Sequence, residues 1–248
     1  MNYFIFKALK ARFLQKIFGK PLEVKKSWED APLEFKGMVD FLNWFDATKT
    51  ISSCINKAAL DWKYRFSSHA YFTKLNKKNA LEIGFGGGRL MTQSSKDFEN
   101  VYGVDIHRNF SMTSNFLASQ GVNNFSLYHR DDISQIKSNS IDLIYSFIVF
   151  QHFDSLEEVD YYLKHIYRLL NKEGIAHIYF GKNKNDGVTV TSEKDFILRD
   201  CSLFINPVTM RTKIAKRFVI INFEDNLARD PVKNSGESVQ AMIVFTKK

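Results

Sequence analysis

The sequence predicts an α/β protein: a doubly wound, seven-stranded and mostly parallel sheet with an antiparallel hairpin at one edge, plus an N-terminal helical extension. From residue 79 onward, short apolar runs alternate with helical patterns, which is typical of a parallel sheet covered by helices. The last two apolar runs have no helix between them, which indicates an antiparallel edge pair. The 248 residues are 44% hydrophobic and 25% charged, so a packed core is expected and a disordered chain is excluded.

The extension, residues 1–78, is basic and aromatic. Residues 1–80 contain 15 Lys and Arg against 7 Asp and Glu, whereas the rest of the chain contains 20 of each, so the net charge of +8 lies entirely at the N-terminus. Residues 1–20 contain no acidic residue. Their apolar side chains repeat at helical spacing, at Phe6, Leu9, Phe13 and Ile17. Such a helix could lie on an anionic membrane surface, dock on a partner or pack on its own domain.

Two further helices are predicted between residues 33 and 75. Their apolar stripe comprises Phe35, Met38, Phe41, Leu42 and Phe45. A second part of the chain, in which strands alternate with helices, is predicted to begin after them and to span residues 79–248.

The elements of that second part follow in order. Strands are predicted at 79–83, 101–105, 125–129, 141–150, 175–180, 218–223 and 238–246. A short helix ends near residue 97, and another spans 110–119 before a left-handed Gly121. A longer helix starts at Ser155, where Glu158 completes a capping box. The last predicted helix has Asn206 as its N-cap and Pro207 in its first turn, and it ends at about residue 216.

A glycine cluster after the first strand predicts a nucleoside-binding turn. Residues 84–88, Gly-Phe-Gly-Gly-Gly, lie between a strand and a helix, where glycine lets backbone N–H groups approach a ligand. Asp105 ends the next strand and can accept hydrogen bonds from a ribose diol. The dinucleotide fingerprint G-x-G-x-x-G/A is broken because Arg89 occupies its last position. The pattern therefore favours an adenosine-type ligand over a pyrophosphate.

Residues 81–88, Leu-Glu-Ile-Gly-Phe-Gly-Gly-Gly, resemble the first motif of class I S-adenosylmethionine-dependent methyltransferases, of the small-molecule type found in the type 11 and type 25 families. Residues 101–105 resemble the second motif, 130–133 the segment that meets the adenine, and 140–146 the fourth strand. The resemblance extends through most of residues 79–246. It implies a Rossmann-like fold and S-adenosyl-L-methionine as cofactor.

The resemblance also implies which residues contact the methyl donor. Glu82 would help to orient the methionine amino group, and a buried carboxylate there requires a charged partner. Asp105 would meet the ribose, and Asp132, which aligns better than Asp131, would hold the adenine. The full predicted set is Glu82, Gly84, Phe85, Gly86, Gly88, Asp105, Ile106, Asp131, Asp132, Ile133 and Ser146.

Methyl transfer from a sulfonium depends mainly on alignment of the acceptor, but a hydroxyl acceptor also needs a base. The candidate base is His152, just beyond the fourth strand, with packing as its alternative role. His69 and Tyr64 are weaker candidates for the acceptor pocket. Residues 146–149 stand where amino-directed relatives carry an Asn/Asp-Pro-Pro-aromatic motif, so an oxygen acceptor is favoured over an exocyclic nitrogen.

The acceptor itself is not readable from the sequence. We expect a small molecule or a glycan, including lipid-linked ones, bound by the N-terminal helices and residues 181–205. Two alternatives remain: an RNA-directed methyltransferase that docks through the basic extension, and a non-catalytic scaffold that retains the nucleoside pocket. Nucleic acid is the less favoured partner.

The cysteine count and the hydropathy of the chain indicate the expected cellular compartment. Two cysteines without a C-x-x-C pair supply neither a disulfide framework nor a thiolate zinc site, and no metal site is predicted. The longest uncharged apolar run, within 143–153, is far shorter than the ~20 residues that span a bilayer. We therefore expect a cytoplasmic protein, with residues 1–20 available for peripheral contact at the inner membrane face.

Overall fold

The computed structural model of this chain describes residues 28–183, 188–190, 202–230, 232 and 235–248. The amphipathic pattern predicted for residues 1–20 lies outside the described residues, as does part of the predicted acceptor segment 181–205. No helix among the described residues is both long enough and apolar enough to cross a bilayer.

The N-terminal layer consists of α1, Met38–Asp46, and α2, Ile51–Trp62, as the apolar stripe predicted. Thr50 caps α2, because its hydroxyl accepts a hydrogen bond of 3.0 Å from the backbone nitrogen of Ser53. The helix continues into a π-helical turn, Lys63–Ser67. Such turns are rare and often occur at functional sites. This one carries Arg65 to the cavity described below.

The main sheet has seven strands in the order β3-β2-β1-β4-β5-β11-β8. Its strands are β1 (Asn79–Ile83), β2 (Asn100–Asp105), β3 (Phe125–His129), β4 (Ile141–Ser146), β5 (Leu170–Gly181), β8 (Phe218–Glu224) and β11 (Gln240–Lys247). The first five are parallel, whereas β11 runs antiparallel to both β5 and β8. This confirms the predicted fold class.

Two small antiparallel pairs lie outside the main sheet. They are β6 (Val188–Val190) with β7 (Leu203–Ile205), and β9 (Ala228–Asp230) with β10 (Ser235–Glu237). Within the described residues, four further α-helices follow: α3 (Met91–Asp97), α4 (Phe110–Ser119), α5 (Leu156–Leu169) and α6 (Pro207–Ala215). One core cluster joins the sheet to α5 and α6, a second joins the opposite face to α2, α3 and α4, and a third joins α1, α2 and α4. The sheet is therefore covered on both faces.

The chain order reverses between β1 and β4, which lie side by side at the centre of the sheet. All six residues of β4 are buried, as expected for a central strand between two helical layers. In open parallel sheets the crevice at such a reversal, at the carboxyl ends of the strands, is where ligands bind.

The fourth strand is shorter than predicted, since it ends at Ser146 rather than at residue 150. Ile148 adopts a φ of 61°, which a β-branched residue rarely tolerates and which no strand can contain. Residues 150–152 then form a short 3₁₀ turn. The apolar run 141–150 therefore contains both the strand and the start of the turn that carries Gln151 and His152.

Two further expectations were wrong in detail. The strand predicted at 175–180 begins at Leu170, which pairs with Ile141 before a register shift, although the polar residues that follow read as a turn. Ser155 does sit at the N-cap of α5, but its side chain makes no capping bond, so the predicted capping box is absent. Instead, the Glu158 carboxylate accepts a hydrogen bond of 3.0 Å from the backbone nitrogen of Asp154 and forms an ion pair with Arg130 at 2.7 Å.

Candidate active site

A cavity of about 550 Å³ opens at the carboxyl ends of β1 and β4. Pockets for small ligands usually lie between ~300 and ~1,000 Å³. Its walls come from the glycine turn, the end of β2, the loop after β4 and the N-terminal layer. The cavity therefore occupies the crevice where the strand order reverses.

Asp105 fixes the glycine turn to the end of β2. Its Oδ2 accepts a hydrogen bond of 2.7 Å from the backbone nitrogen of Gly86, and its Oδ1 accepts bonds of 2.7 and 3.2 Å from Ile106 and His107. A carboxylate offers about four lone-pair sites. Three are thus used within the protein, which leaves one site for a ligand hydroxyl at a side chain that lines the cavity.

The carbonyl of Gly86 is held from the other side. His107 Nε2 donates to it at 3.0 Å, and Thr113 Oγ1 donates at 3.0 Å. The backbone nitrogen of Asn109 donates to His107 Nδ1, so the imidazole proton resides on Nε2. Because both polar groups of Gly86 are anchored, the turn is rigid before any ligand binds.

Two glycines of the turn are required by close packing. Gly84 and Gly86 have φ values of 77° and 52°, and a Cβ on Gly86 would lie 2.8 Å from Phe45 Cδ1. A Cβ on Gly84 would overlap the side chain of Val149. The glycines therefore admit the chain's own N-terminal layer and the loop after β4, in addition to any role in ligand approach.

Glu82, at the end of β1, is a buried carboxyl that lines the same cavity. Burial raises its pKa well above the usual range, and the nearby Arg89 opposes this only in part. The Tyr145 hydroxyl donates a hydrogen bond of 3.2 Å to Glu82 Oε2 and lies 2.8 Å from the Ser94 hydroxyl. A buried carboxyl with a raised pKa gains a favourable partner when a cation binds beside it.

Arg89 links the glycine turn to the N-terminal layer. It forms ion pairs with Asp46 of α1 and, at 2.7 Å, with Asp61 of α2. Asp61 also pairs with Arg65 at 3.1 Å. All four side chains are at most 11% exposed. The residue that breaks the dinucleotide fingerprint is thus the buried centre of a charge network.

Aromatic rings form another part of the cavity wall. Trp28 lies 4.7 Å from the ring of His152, 5.7 Å from Trp44 and 6.2 Å from Phe45, measured between ring centroids. These four residues, which we call the aromatic box, come from three separate chain segments. The strained Ile148 lies in the loop that carries His152 and also lines the cavity.

The structure brings together seven of the predicted site residues. Those lining the cavity are Glu82, Gly84, Phe85, Gly86, Asp105, Ile106 and His152. The others predicted for the cofactor do not line it: Gly88, Asp131, Asp132, Ile133 and Ser146. Nor do His69 and Tyr64. The individual roles of all these residues remain predictions.

The residues outside the cavity have identifiable surroundings. The Asp131 side chain is 70% exposed. The Asp132 carboxylate accepts a hydrogen bond of 2.8 Å from the Gln135 side chain on the surface. Ile133 belongs to the core, and the Ser146 hydroxyl donates to the Ile83 carbonyl. His69 packs against Tyr71 and His177 beneath the π-helical turn.

The sequence does not reveal several residues of the site. Arg89 appears in it only as a departure from a fingerprint, and nothing along the chain indicates its buried partners Asp46 and Asp61. Trp28 and Trp44 belong to the aromatic N-terminal segment, but nothing in their spacing places them beside His152. His107, which holds the turn without lining the cavity, carries no sequence signal of its own.

Residues 81–178 match the family model described as a methyltransferase domain. The structure is similar to that of the mitomycin 7-O-methyltransferase MmcR, with a TM-score of 0.60, 11% identity and coverage of 100% of this chain and 69% of that one. It is also similar to an S-adenosylmethionine-dependent methyltransferase from Aquifex aeolicus, with a TM-score of 0.52, 11% identity and coverage of 80% and 98%.

A protein from Pyrococcus horikoshii OT3 has a similar structure over nearly the full length of both chains, with a TM-score of 0.55, 14% identity and coverage of 95% and 99%. No curated protein sequence matches this chain significantly. Because the identities are below 25%, these solved structures show only a shared fold. The family model identifies residues 81–178 as a methyltransferase domain.

Proposed function

We propose that this chain, whose residues 81–178 match a methyltransferase domain, transfers a methyl group from S-adenosylmethionine to an oxygen atom of a small acceptor, either free or part of a glycan or lipid-linked compound. One observation carries the proposal: the anchored glycine turn, the buried carboxyl of Glu82 and the imidazole of His152 line one cavity of about 550 Å³. A space of this size suits a donor and a small acceptor better than a folded macromolecule.

The residues present fit S-adenosylmethionine. Asp105 retains about one lone-pair site for a ribose hydroxyl. Glu82 is a buried carboxyl that lacks a fully compensating charge, so an ammonium group beside it would be stabilised. When bound, the cofactor supplies an electrophilic methyl group on a sulfonium.

The protein's own contribution is orientation and proton removal. The rigid turn and the aromatic box would align the acceptor with the methyl group and exclude water, and alignment of this kind can supply ~7–11 kcal/mol of a barrier. A hydroxyl acceptor must also lose its proton. His152 lines the cavity and packs against Trp28, so it is our candidate for the base.

The test separates donor binding from chemistry. We expect calorimetry to show binding of S-adenosylhomocysteine, and a methyl-labelled donor incubated with fractionated cell extract to label a small compound on oxygen. H152N should lower kcat by ~10²- to 10⁴-fold while leaving donor affinity unchanged. H165N is the matched control, because His165 lies on α5 and does not line the cavity.

Three results would count against the proposal. Absence of donor binding to the intact protein would remove its basis. Labelling of a nitrogen or carbon atom would replace the oxygen acceptor. An H152N variant with wild-type kcat would leave His152 with a packing role only.

A further inference from the structure

We propose that the ion pair of Arg130 and Glu158 recognises the adenine of the methyl donor. Glu158 accepts a hydrogen bond from the exocyclic amino group, and Arg130 donates one to a neighbouring ring nitrogen. This inference rests on the proposed function and adds two specificity-determining residues to the same cavity. It replaces the adenine contact that the sequence resemblance implies for Asp132.

The order of the strands sets the direction in which the donor lies. Neighbouring strands follow one another as β3-β2-β1-β4, with Glu82 near the end of β1 and Asp105 at the end of β2. In the proposed function Glu82 meets the amino group of the donor and Asp105 meets its ribose. Because the amino acid, the ribose and the base are joined in that order, the base lies beyond Asp105, toward the end of β3.

The end of β3 leads directly to the ion pair. The last residue of β3, His129, lies beside Asp105 in the strand register, and Arg130 follows it and lines the cavity. Arg130 Nη1 donates a hydrogen bond of 2.7 Å to Oε1 of Glu158, which lies in the first turn of α5 and also lines the cavity. The two side chains keep 13% and 15% exposure, so the pair borders the space assigned to the base.

The carboxylates of the cavity wall point to the same residue. Among the described residues, those that line the cavity belong to Asp46, Glu82, Asp105 and Glu158. Asp46 is paired with Arg89 beside the glycine turn. The next two are assigned above to the amino group and the ribose. Glu158 is therefore the carboxylate left for the base, whereas Asp132 does not line the cavity.

The hydrogen-bonding pattern of the pair is complementary to that of adenine. A guanidinium offers only donors and a carboxylate only acceptors, so the pair presents a donor and an acceptor side by side. Adenine presents its amino donor next to a ring-nitrogen acceptor on one edge. Hypoxanthine has a carbonyl oxygen in place of the amino group and therefore does not match the pair. The pair thus selects for the amino group of the base.

The pair is held in place by the chain around it. Glu158 Oε2 accepts a hydrogen bond of 3.0 Å from the backbone nitrogen of Asp154. The Arg130 guanidinium lies 4.7 Å from the centre of the Tyr161 ring, and the Tyr161 hydroxyl donates at 2.8 Å to the Arg130 carbonyl. A site whose groups are already oriented loses less conformational entropy when a ligand binds.

Tyr162 connects this pair with the ribose end of the cavity, which it also lines. Burial raises the pKa of its phenol, the Arg130 guanidinium opposes this, and the carboxylates of Asp105 and Glu158 add to the rise. One hydroxyl therefore lies within electrostatic reach of both the ribose carboxylate and the ion pair. The two groups are close enough to act on a single nucleoside.

The experiment compares two ligands that differ at one edge of the base. Calorimetry measures the affinity of S-adenosylhomocysteine and of S-inosylhomocysteine, in which a carbonyl oxygen replaces the amino group. We expect the wild type to bind the adenosine compound about tenfold more tightly or better. In E158Q this ratio should fall to about threefold or less, because a carboxamide can also donate to the carbonyl oxygen. Since each ratio is taken within one variant, a general disturbance of the turn cancels.

R130K provides a second variant, which decides the matter if E158Q does not fold. It keeps the positive charge but removes the planar fork of donors, so its ratio should also fall. D132N is the matched control and should keep the wild-type ratio, since the Asp132 carboxylate bonds Gln135 on the surface. Melting temperatures establish that each variant is folded.

Three results would overturn the inference while donor binding remains: equal affinity of the wild type for the two ligands, a wild-type ratio in folded E158Q or R130K, or a reduced ratio in D132N. The last result would return the adenine contact to Asp132. If the wild type binds neither ligand, the proposed function fails as well.

Discussion

The Oδ2 atom of Asp105 lies 2.7 Å from the backbone nitrogen of Gly86, so a side chain at the end of β2 holds the turn that follows β1. The contact joins two neighbouring parallel strands at their carboxyl ends. The same carboxylate accepts from the backbone nitrogens of Ile106 and His107. Asp105 thus shapes the turn in addition to any contact with a ribose.

We therefore predict that D105N weakens donor binding at least tenfold, which corresponds to ~1.4 kcal/mol. An amide has only one acceptor oxygen, so at least one backbone N–H group loses its partner, and stability should fall by ~1–3 kcal/mol. Calorimetry with S-adenosylhomocysteine and urea unfolding measure the two effects. D160N is the control, since Asp160 is exposed and pairs only with Lys213 among the bonds the structure shows for it. Equal behaviour of both variants would contradict this prediction.

Gly84 and Gly121 allow backbone strain to be separated from steric overlap. Their φ values are 77° and 76°, but a Cβ on Gly84 would overlap Val149, whereas a Cβ on Gly121 would meet nothing within 4 Å. A left-handed conformation alone costs ~1–2 kcal/mol for a residue with a Cβ. G121A should lose about that much, and G84A should lose at least ~1 kcal/mol more together with donor affinity. V149A should partly rescue G84A; a G84A variant as stable as G121A would refute the steric explanation.

Arg89 is predicted to be essential for stability. Its removal in R89M leaves Asp46 and Asp61 buried without their shared cation. Breaking a buried pair by deleting one partner usually costs ~3–5 kcal/mol. K213M removes a more exposed cation, paired with Asp160 at 2.7 Å, and should cost no more than ~1 kcal/mol. Chemical denaturation of both variants decides the matter, and a similar loss in each would show that burial is not the cause.

The sheet could be predicted from the sequence because its signals are local. Apolar runs such as 79–83 and 125–129 are bounded by turn residues, and the structure places strands at the same positions. The glycine turn and Asp105 were likewise readable from spacing along the chain. Where backbone geometry overrides composition, as at Ile148, the apolar run 141–150 did not reveal that the strand ends at Ser146.

The aromatic part of the cavity wall could not be predicted, because its residues meet only in three dimensions. Trp28 and His152 lie more than a hundred positions apart in the sequence, yet their ring centroids are 4.7 Å apart in the folded chain. The pairing of Arg89 with Asp46 likewise joins the glycine turn to α1, which are distant in sequence. No periodicity encodes such contacts.

Glu82 gives the site a pH dependence whose sign can be stated. Burial raises its pKa, so between the ordinary pKa of a glutamate, ~4.3, and the higher folded value the native state binds more protons than the unfolded state. Stability should therefore fall as pH rises through that window, and E82Q should remove this slope. A bound ammonium would favour the ionised carboxylate, so donor binding should release a proton and should tighten as pH rises through the same window, while the ligand's amino group stays charged. Calorimetry of S-adenosylhomocysteine in buffers of different ionisation enthalpy measures the released proton directly. If wild type and E82Q show the same buffer dependence, Glu82 does not change its protonation when the donor binds, and its proposed contact with the amino group is wrong.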